Sequence, residues 1–201
     1  MTRVKICGLT NLADACAAVA AGADALGFVL AESPRRVSPD QVRAMVRRLP
    51  PLVATVGVFV DMPAREVARL KAWCGLDWAQ LHGQEGGEEV EALGPRVIKV
   101  LSVGQKPPNS QAYAGACLLL DTAVPGRAGG TGQYFDWSLA VDLARQRPVI
   151  LAGGLNPENV AQAIAIVKPF AVDVSSGVES EPGRKDHANI RSFVARVKGL
   201  A

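Results

Sequence analysis

Apolar, β-branched runs recur along the chain, and a stretch with helical spacing follows each. In order the runs are RVKIC, ALGFVL, VATVGVFV, DWAQLH, RVIKVLS, CLLLDT, PVILAGG and FAVDVSS, eight in all. Between and after them, TNLADACAAVAA, SPDQVRAMVRRL, MPAREVARLKAW, GEEVEALG, DWSLAVDLARQ, NPENVAQAIAIV and DHANIRSFVARVKG read as helices. Ser38-Pro39 and Asn156-Pro157 each join a capping side chain to a proline, whose missing N–H costs nothing in a first helical turn. The fifth helical segment is weak, because GQKPPNSQAYAGA holds two prolines and reads partly as loop.

Eight strand-then-helix units at a period of about 25 residues predict an α/β fold, the (β/α)8 TIM barrel; an open doubly wound sheet usually has fewer strands. The runs are continuous rather than alternating, as parallel strands covered on both faces require. With 201 residues the chain is expected to form one domain over residues 1–201. Hydrophobic residues at 49% and charged residues at 20% fit an ordered globular protein.

Charge and cysteine usage narrow the chemistry. The net charge of +3 arises from 22 basic and 19 acidic residues, scattered along the chain rather than gathered into a stripe for nucleic acid. That slight excess suits a small anionic metabolite. No charged segment leads into an apolar one at the start, and no apolar run reaches the roughly 18 residues of a membrane span. A cytoplasmic protein without membrane contact is expected. Cys7, Cys16, Cys74 and Cys117 form no C-x-x-C pair and no zinc-like spacing, so reduced thiols and no metal site are expected.

In such a barrel the active site lies where the strands end. The residues there are Cys7, Arg35, Arg36, Asp61, Gln80, His82, Lys99, Asp121, Gly153, Gly154, Asp173, Ser175, Ser176 and Gly177. The LAGGLNPENV and DVSSGVES stretches put small residues at the ends of strands 7 and 8, where backbone amides can approach a phosphate. Turn formation alone is the plainer account of either loop, and the two together favour phosphate. Asp121 roots a glycine-rich loop, DTAVPGRAGGTGQYFDW, of the kind that often serves as a lid. It can act as a general acid, or serve as a helix cap or as an ion-pair partner for Arg127. Cys16, Cys74 and Cys117 read as small buried hydrophobes. Cys7 differs by closing strand 1 at the mouth, where a thiol becomes a proton acceptor if its pKa is lowered. One of Arg35 and Arg36 can fork a carboxylate. His82 reads as an orienting group and Asp173 as an inward-facing partner within the substrate-binding set.

Taken together, VKICGLT, GADALGFV, SPRRVSP, VGVFVD, QLHG, LLLDT, GGTGQYFDW, LAGGLNPENV and PFAVDVSSGVESEPGRKDH resemble the phosphoribosylanthranilate isomerases of tryptophan biosynthesis over the whole length. The resemblance implies an Amadori rearrangement of N-(5-phosphoribosyl)anthranilate to 1-(o-carboxyphenylamino)-1-deoxyribulose 5-phosphate. Within it Cys7 matches the general base and Asp121 the general acid. Arg35 matches the carboxylate-binding arginine, while Arg36 replaces the usual aromatic that follows. Phosphate contacts fall on Gly153, Gly154, Ser176 and Gly177, and Gly130, His82 and Asp173 complete the substrate-binding set. Neither a metal nor an organic cofactor is implied, and the chain would be a monomer or homodimer whose partner is its small phosphorylated substrate.

Other phosphosugar barrels compete with this reading. An indole-3-glycerol-phosphate synthase type needs a catalytic lysine and an acid at strand ends, and a ProFAR isomerase type uses two aspartates, one where this chain has Cys7. A non-catalytic barrel that binds a phosphorylated metabolite would need only the glycine loops. Retention of both Cys7 and Asp121 argues against it.

Overall fold

The computed structural model describes residues 1–104, 110–122 and 136–199. Eight strands, β1 (Arg3–Ile6), β2 (Ala25–Val29), β3 (Ala54–Phe59), β4 (Trp78–Leu81), β5 (Val97–Val103), β6 (Cys117–Thr122), β7 (Val149–Leu151) and β8 (Ala171–Val174), form a closed barrel in chain order. Every neighbouring pair is parallel, and β1 closes the ring by pairing with both β2 and β8. The expected TIM barrel is therefore the observed fold.

Strand periodicity divides the core into two layers. Val56, Ile98, Val100, Leu119, Ile150, Ala152 and Ala171 fill the barrel interior. A larger cluster, including Ile6, Leu26, Phe28, Phe59, Leu81, Leu118, Leu120, Leu151 and Phe193, lies between strands and helices. Since both faces of each strand are buried, the continuous apolar runs are accounted for.

The shell consists of α1 (Leu12–Ala21), α2 (Pro39–Val46), α3 (Ala64–Cys74), α4 (Gly87–Ala92), α5 (Ser138–Gln146), α6 (Val160–Val167) and α7 (His187–Lys198). Ser38 and Gln41 form a reciprocal capping box with Pro39 in the first turn of α2. Asn156 caps a turn ahead of α6, its side-chain oxygen accepting from the backbone N–H of Glu158 and Asn159. The fifth helical position is filled by one 3-10 turn, Gln111–Tyr113, among the described residues.

One element was not anticipated. After β8 a 3-10 turn (Ser176–Val178) leads into a small antiparallel hairpin, β9 (Glu179–Glu181) and β10 (Arg184–Lys185). It hangs over the mouth and supplies two buried charges described below. Among the described residues no helix is long and apolar enough to cross a membrane.

Candidate active site

At the mouth the strand ends enclose a cavity of 550 Å³, whose lining includes Cys7, Arg35, Gln80, His82, Asp121, Asp173 and Ser175. These residues come from five different strands or the loops that follow them, so barrel closure is what assembles them.

Cys7 follows β1, is buried, and is fixed by its backbone N–H, which donates to Val174 O at 2.8 Å. Gly27 on β2 makes room for the thiol: a Cβ there would stand 2.7 Å from Cys7 Sγ and 3.2 Å from Lys5 Nζ. Lys5, two residues earlier on the same strand face, is almost fully buried and donates to Asp173 Oδ1 at 2.8 Å. Burial is the largest influence on Cys7 and pushes its thiol up; the Lys5 charge, a Lys5 hydrogen bond and Lys185 pull the other way without overcoming it. A thiol base calls for a lowered pKa, and the structure gives the reverse because desolvation outweighs the nearby cations. For Lys5 burial is again the largest influence, but Asp173 and Cys7 together outweigh it and raise the ammonium's pKa.

Asp121 is buried in β6, with Oδ1 accepting from the Thr122 N–H at 2.8 Å. Its Oδ2 lies 3.4 Å from His82 Nε2. His82 is positioned by its own backbone N–H, which donates to Phe59 O at 2.8 Å. Gln80, two residues before it on β4, is fully buried, and its Oε1 has no hydrogen-bond partner among the described residues. Arg127, the other partner considered for Asp121, lies outside the described residues.

The two arginines separate clearly. Arg35 lines the cavity and forms a fork with Glu179 of β9, Nε to Oε1 at 2.8 Å and Nη2 to Oε2 at 2.7 Å. Lys185 of β10 donates to the same Oε1 at 2.8 Å and to Ser175 O at 3.0 Å. Although burial opposes it, these two cations hold the Glu179 carboxyl below the usual range. Arg36 instead points to the surface, where it pairs with exposed Glu32 at 2.9 Å. Gly8, at φ +74°, allows this arrangement, since a Cβ there would stand 2.6 Å from Arg35 Cδ and 2.8 Å from Ser175 Oγ.

The glycine loops flank this cavity. Gly153 and Gly154 both take positive φ, +82° and +64°. A Cβ on Gly153 would stand 2.7 Å from Thr122 N and 3.0 Å from Asp121 Oδ1, so this loop lies directly beside Asp121. A Cβ on Gly177 would overlap Leu155 O, so the loops after β7 and β8 are packed against one another. Asn159 Nδ2 steadies the first of them by donating to Gly154 O at 2.9 Å. Ser176 opens the 3-10 turn of the second.

Gly130 lies outside the described residues. Two strand-end candidates stand away from the mouth. Lys99 alternates with the inward-facing Ile98 and Val100, so it points to the helix layer, where it pairs with Glu85 at 2.6 Å and donates to Gly83 O at 2.7 Å. Asp61, at φ +49°, accepts from the Gln84 N–H at 2.6 Å and ties the β3 and β4 loops together. Conversely, Lys5, Gly27, Glu179 and Lys185 belong to the mouth and had escaped notice. Lys5 was legible in principle, because two-residue spacing puts it on the face of Cys7. Among the described residues no group of three or more His, Cys, Asp or Glu is placed to hold a metal ion.

The chain is similar to known proteins along its length. A family model described as N-(5'phosphoribosyl)anthranilate (PRA) isomerase matches residues 4–196. A protein from Desulforudis audaxviator named N-(5'-phosphoribosyl)anthranilate isomerase is 54% identical over 198 residues, covering 96% of this chain and 97% of its own. The crystal structure of phosphoribosyl anthranilate isomerase from Thermotoga maritima aligns with a TM-score of 0.90 at 44% identity, covering 100% of both chains. A crystal structure of phosphoribosyl anthranilate isomerase in complex with reduced 1-(o-carboxyphenylamino)-1-deoxyribulose 5-phosphate aligns with a TM-score of 0.87 at 43% identity, again over 100% of both chains.

Proposed function

The chain belongs to the N-(5'-phosphoribosyl)anthranilate isomerase family of tryptophan biosynthesis, and from that premise we propose how its mouth performs the Amadori rearrangement. The observation that carries the reading is that Cys7 and Asp121 line one cavity from β1 and β6.

The substrate has two anions and a ring to open. Its phosphate would be held by backbone amides of the Gly153-Gly154 and Ser176-Gly177 loops. Its anthranilate carboxylate would meet Arg35. Guanidinium has five N–H donors, and Glu179 takes one from Nε and one from Nη2. The Nη1–Nη2 edge is left for a second, parallel fork. Arg36, turned to the surface, plays no part. A ligand with both a carboxylate and a phosphate, the reduced 1-(o-carboxyphenylamino)-1-deoxyribulose 5-phosphate, is the one named in complex with a similar isomerase.

Chemistry then proceeds by two proton transfers. Protonated Asp121 gives its proton to the ring oxygen as the C1–O bond breaks, and the anilino lone pair forms a C1=N iminium. His82 holds the Asp121 carboxyl toward that oxygen. Cys7, as thiolate, removes the C2 proton, and the C–H electrons move toward the iminium to give an enolamine. Tautomerisation adds a proton to C1 and removes one from the C2 hydroxyl, so substrate and product are isomers. Transfer of the proton on Cys7 back to Asp121 through solvent resets the pair.

Turnover of N-(5-phosphoribosyl)anthranilate by the purified protein tests the reading, with Cys7→Ser as the diagnostic variant. Loss of kcat by at least about a hundredfold, with product affinity retained, is expected. Turnover close to that of the unmodified chain would remove Cys7 from the mechanism.

A further inference from the structure

The proton transfers above leave two buried cations of the mouth unused, Lys185, which Glu179 engages, and Lys5. Lys5 stands on the same face of β1 as Cys7, and the lone space over Gly27 touches both Sγ and Nζ. Asp173, across the β1–β8 seam, anchors the ammonium at 2.8 Å. A lysine this deeply buried is an expensive way to fill space, and an apolar residue of similar volume would join the two strands as well. Its placement needs a reason other than packing.

We propose that Lys5 is a positioning residue for Cys7, whose ammonium provides the counter-charge for the thiolate while Asp173 holds that ammonium in place. This rests on the reading of Cys7 as the base. A thiolate generated in a buried mouth has little water to stabilise it, so a fixed cation beside it decides how readily it forms. Four ionised groups influence Cys7: Lys5 from its own strand, Asp173 from β8, Lys185 from β10 and Arg35 from the loop after β2. From β2 come Gly27 and Val29, neither of them charged. Arg35 and Lys185 are both engaged by Glu179, which cancels much of their charge. Lys5 is also the strongest of the influences that oppose burial of the thiol. The proton balance is simple, because Lys5 stays protonated throughout. Cys7 loses its S–H proton to solvent, then regains one as the C2–H bond breaks.

Iodoacetamide labelling of Cys7, followed against pH by mass spectrometry of its own peptide, reads thiolate formation separately from Cys16, Cys74 and Cys117. In Lys5→Met the labelling rate below the midpoint should fall by roughly tenfold and the midpoint should move to higher pH. Lys5→Arg should stay near the unmodified profile. Should Lys5→Met fail to fold with Asp173 left uncompensated, Lys5→Met combined with Asp173→Asn removes both charges. That double variant should still label more slowly, because the cation that shares the space over Gly27 with the thiol is gone. An unchanged Cys7 profile in Lys5→Met, or in the double variant where only that one folds, overturns the proposal. A shifted profile together with full turnover in Cys7→Ser would instead sustain the coupling and remove Cys7 as the base.

Discussion

Glu179 grips Arg35 through two parallel hydrogen bonds of 2.8 and 2.7 Å, and it does so from the β9–β10 hairpin that follows the 3-10 turn after β8 and leads into α7. The guanidinium is thereby turned with a fixed edge toward the cavity. Glu179→Ala should free Arg35 to rotate, raising KM about tenfold or more while changing kcat far less. It also leaves Arg35 and Lys185 without their shared anion. A stability loss of about 3–5 kcal/mol is expected, measured by urea unfolding. Glu179→Gln, which keeps the shape and one acceptor, should show the KM defect with a smaller loss of stability.

Gly153 is the sharpest test of the phosphate loops. Its φ of +82° is costly for any L residue, and an added Cβ would collide with Thr122. Gly153→Ala should therefore move the loop that flanks Asp121. The expected result is weaker inhibition by inorganic phosphate and a KM raised roughly tenfold, with circular dichroism unchanged. Unaltered phosphate inhibition would mean that the anion is held elsewhere.

The strands were legible because a barrel strand buries both faces, which writes each one as an unbroken apolar run. The mouth was harder. Lys99 and Asp61 end or follow such runs, yet each lies one position away from inward-facing residues, Val100 and Val60, and so falls on the other face. Strand parity applied strictly would have set both aside and picked out Lys5. The hairpin had no such signal, since ESEPGRK is polar throughout and its two buried charges, Glu179 and Lys185, become intelligible only once they are seen to compensate each other and Arg35. The fifth helix failed for the reason its prolines gave.

Acid should destabilise the protein through the same network. Glu179 and Asp14 are both held below the ordinary carboxyl range, Glu179 by Arg35 and Lys185, Asp14 by the Lys185 backbone N–H and by His187. A carboxyl with a depressed folded pKa binds its proton more readily when unfolded. Its contribution is complete above the unfolded value, about 4, and is lost as pH falls through the lower folded value. Urea midpoints measured from about pH 6 down to about pH 3 should fall steeply, and less steeply in Asp14→Asn, which has already forfeited its share. Parallel curves for the two proteins would show that Asp14 is not part of the acid response.

Asp121 and His82 stand 3.4 Å apart, and either could in principle protonate the ring oxygen. Geometry favours Asp121. Its carboxyl sits beside the Gly153 loop, where the sugar phosphate would be anchored. If Asp121 is the acid and His82 only orients it, the variants should differ in degree and in pH response. Asp121→Asn removes the transferable proton and should lower kcat by about 10²–10⁴-fold, with no acidic or basic limb restoring it. His82→Asn keeps the acid and loosens one contact, so a fall of about tenfold is expected, with the shape of the pH profile retained. The measurement is kcat against pH for both variants and the unmodified chain. Equal losses, with the profile changed in His82→Asn, would transfer the role of acid to His82 and make Asp121 its anchor.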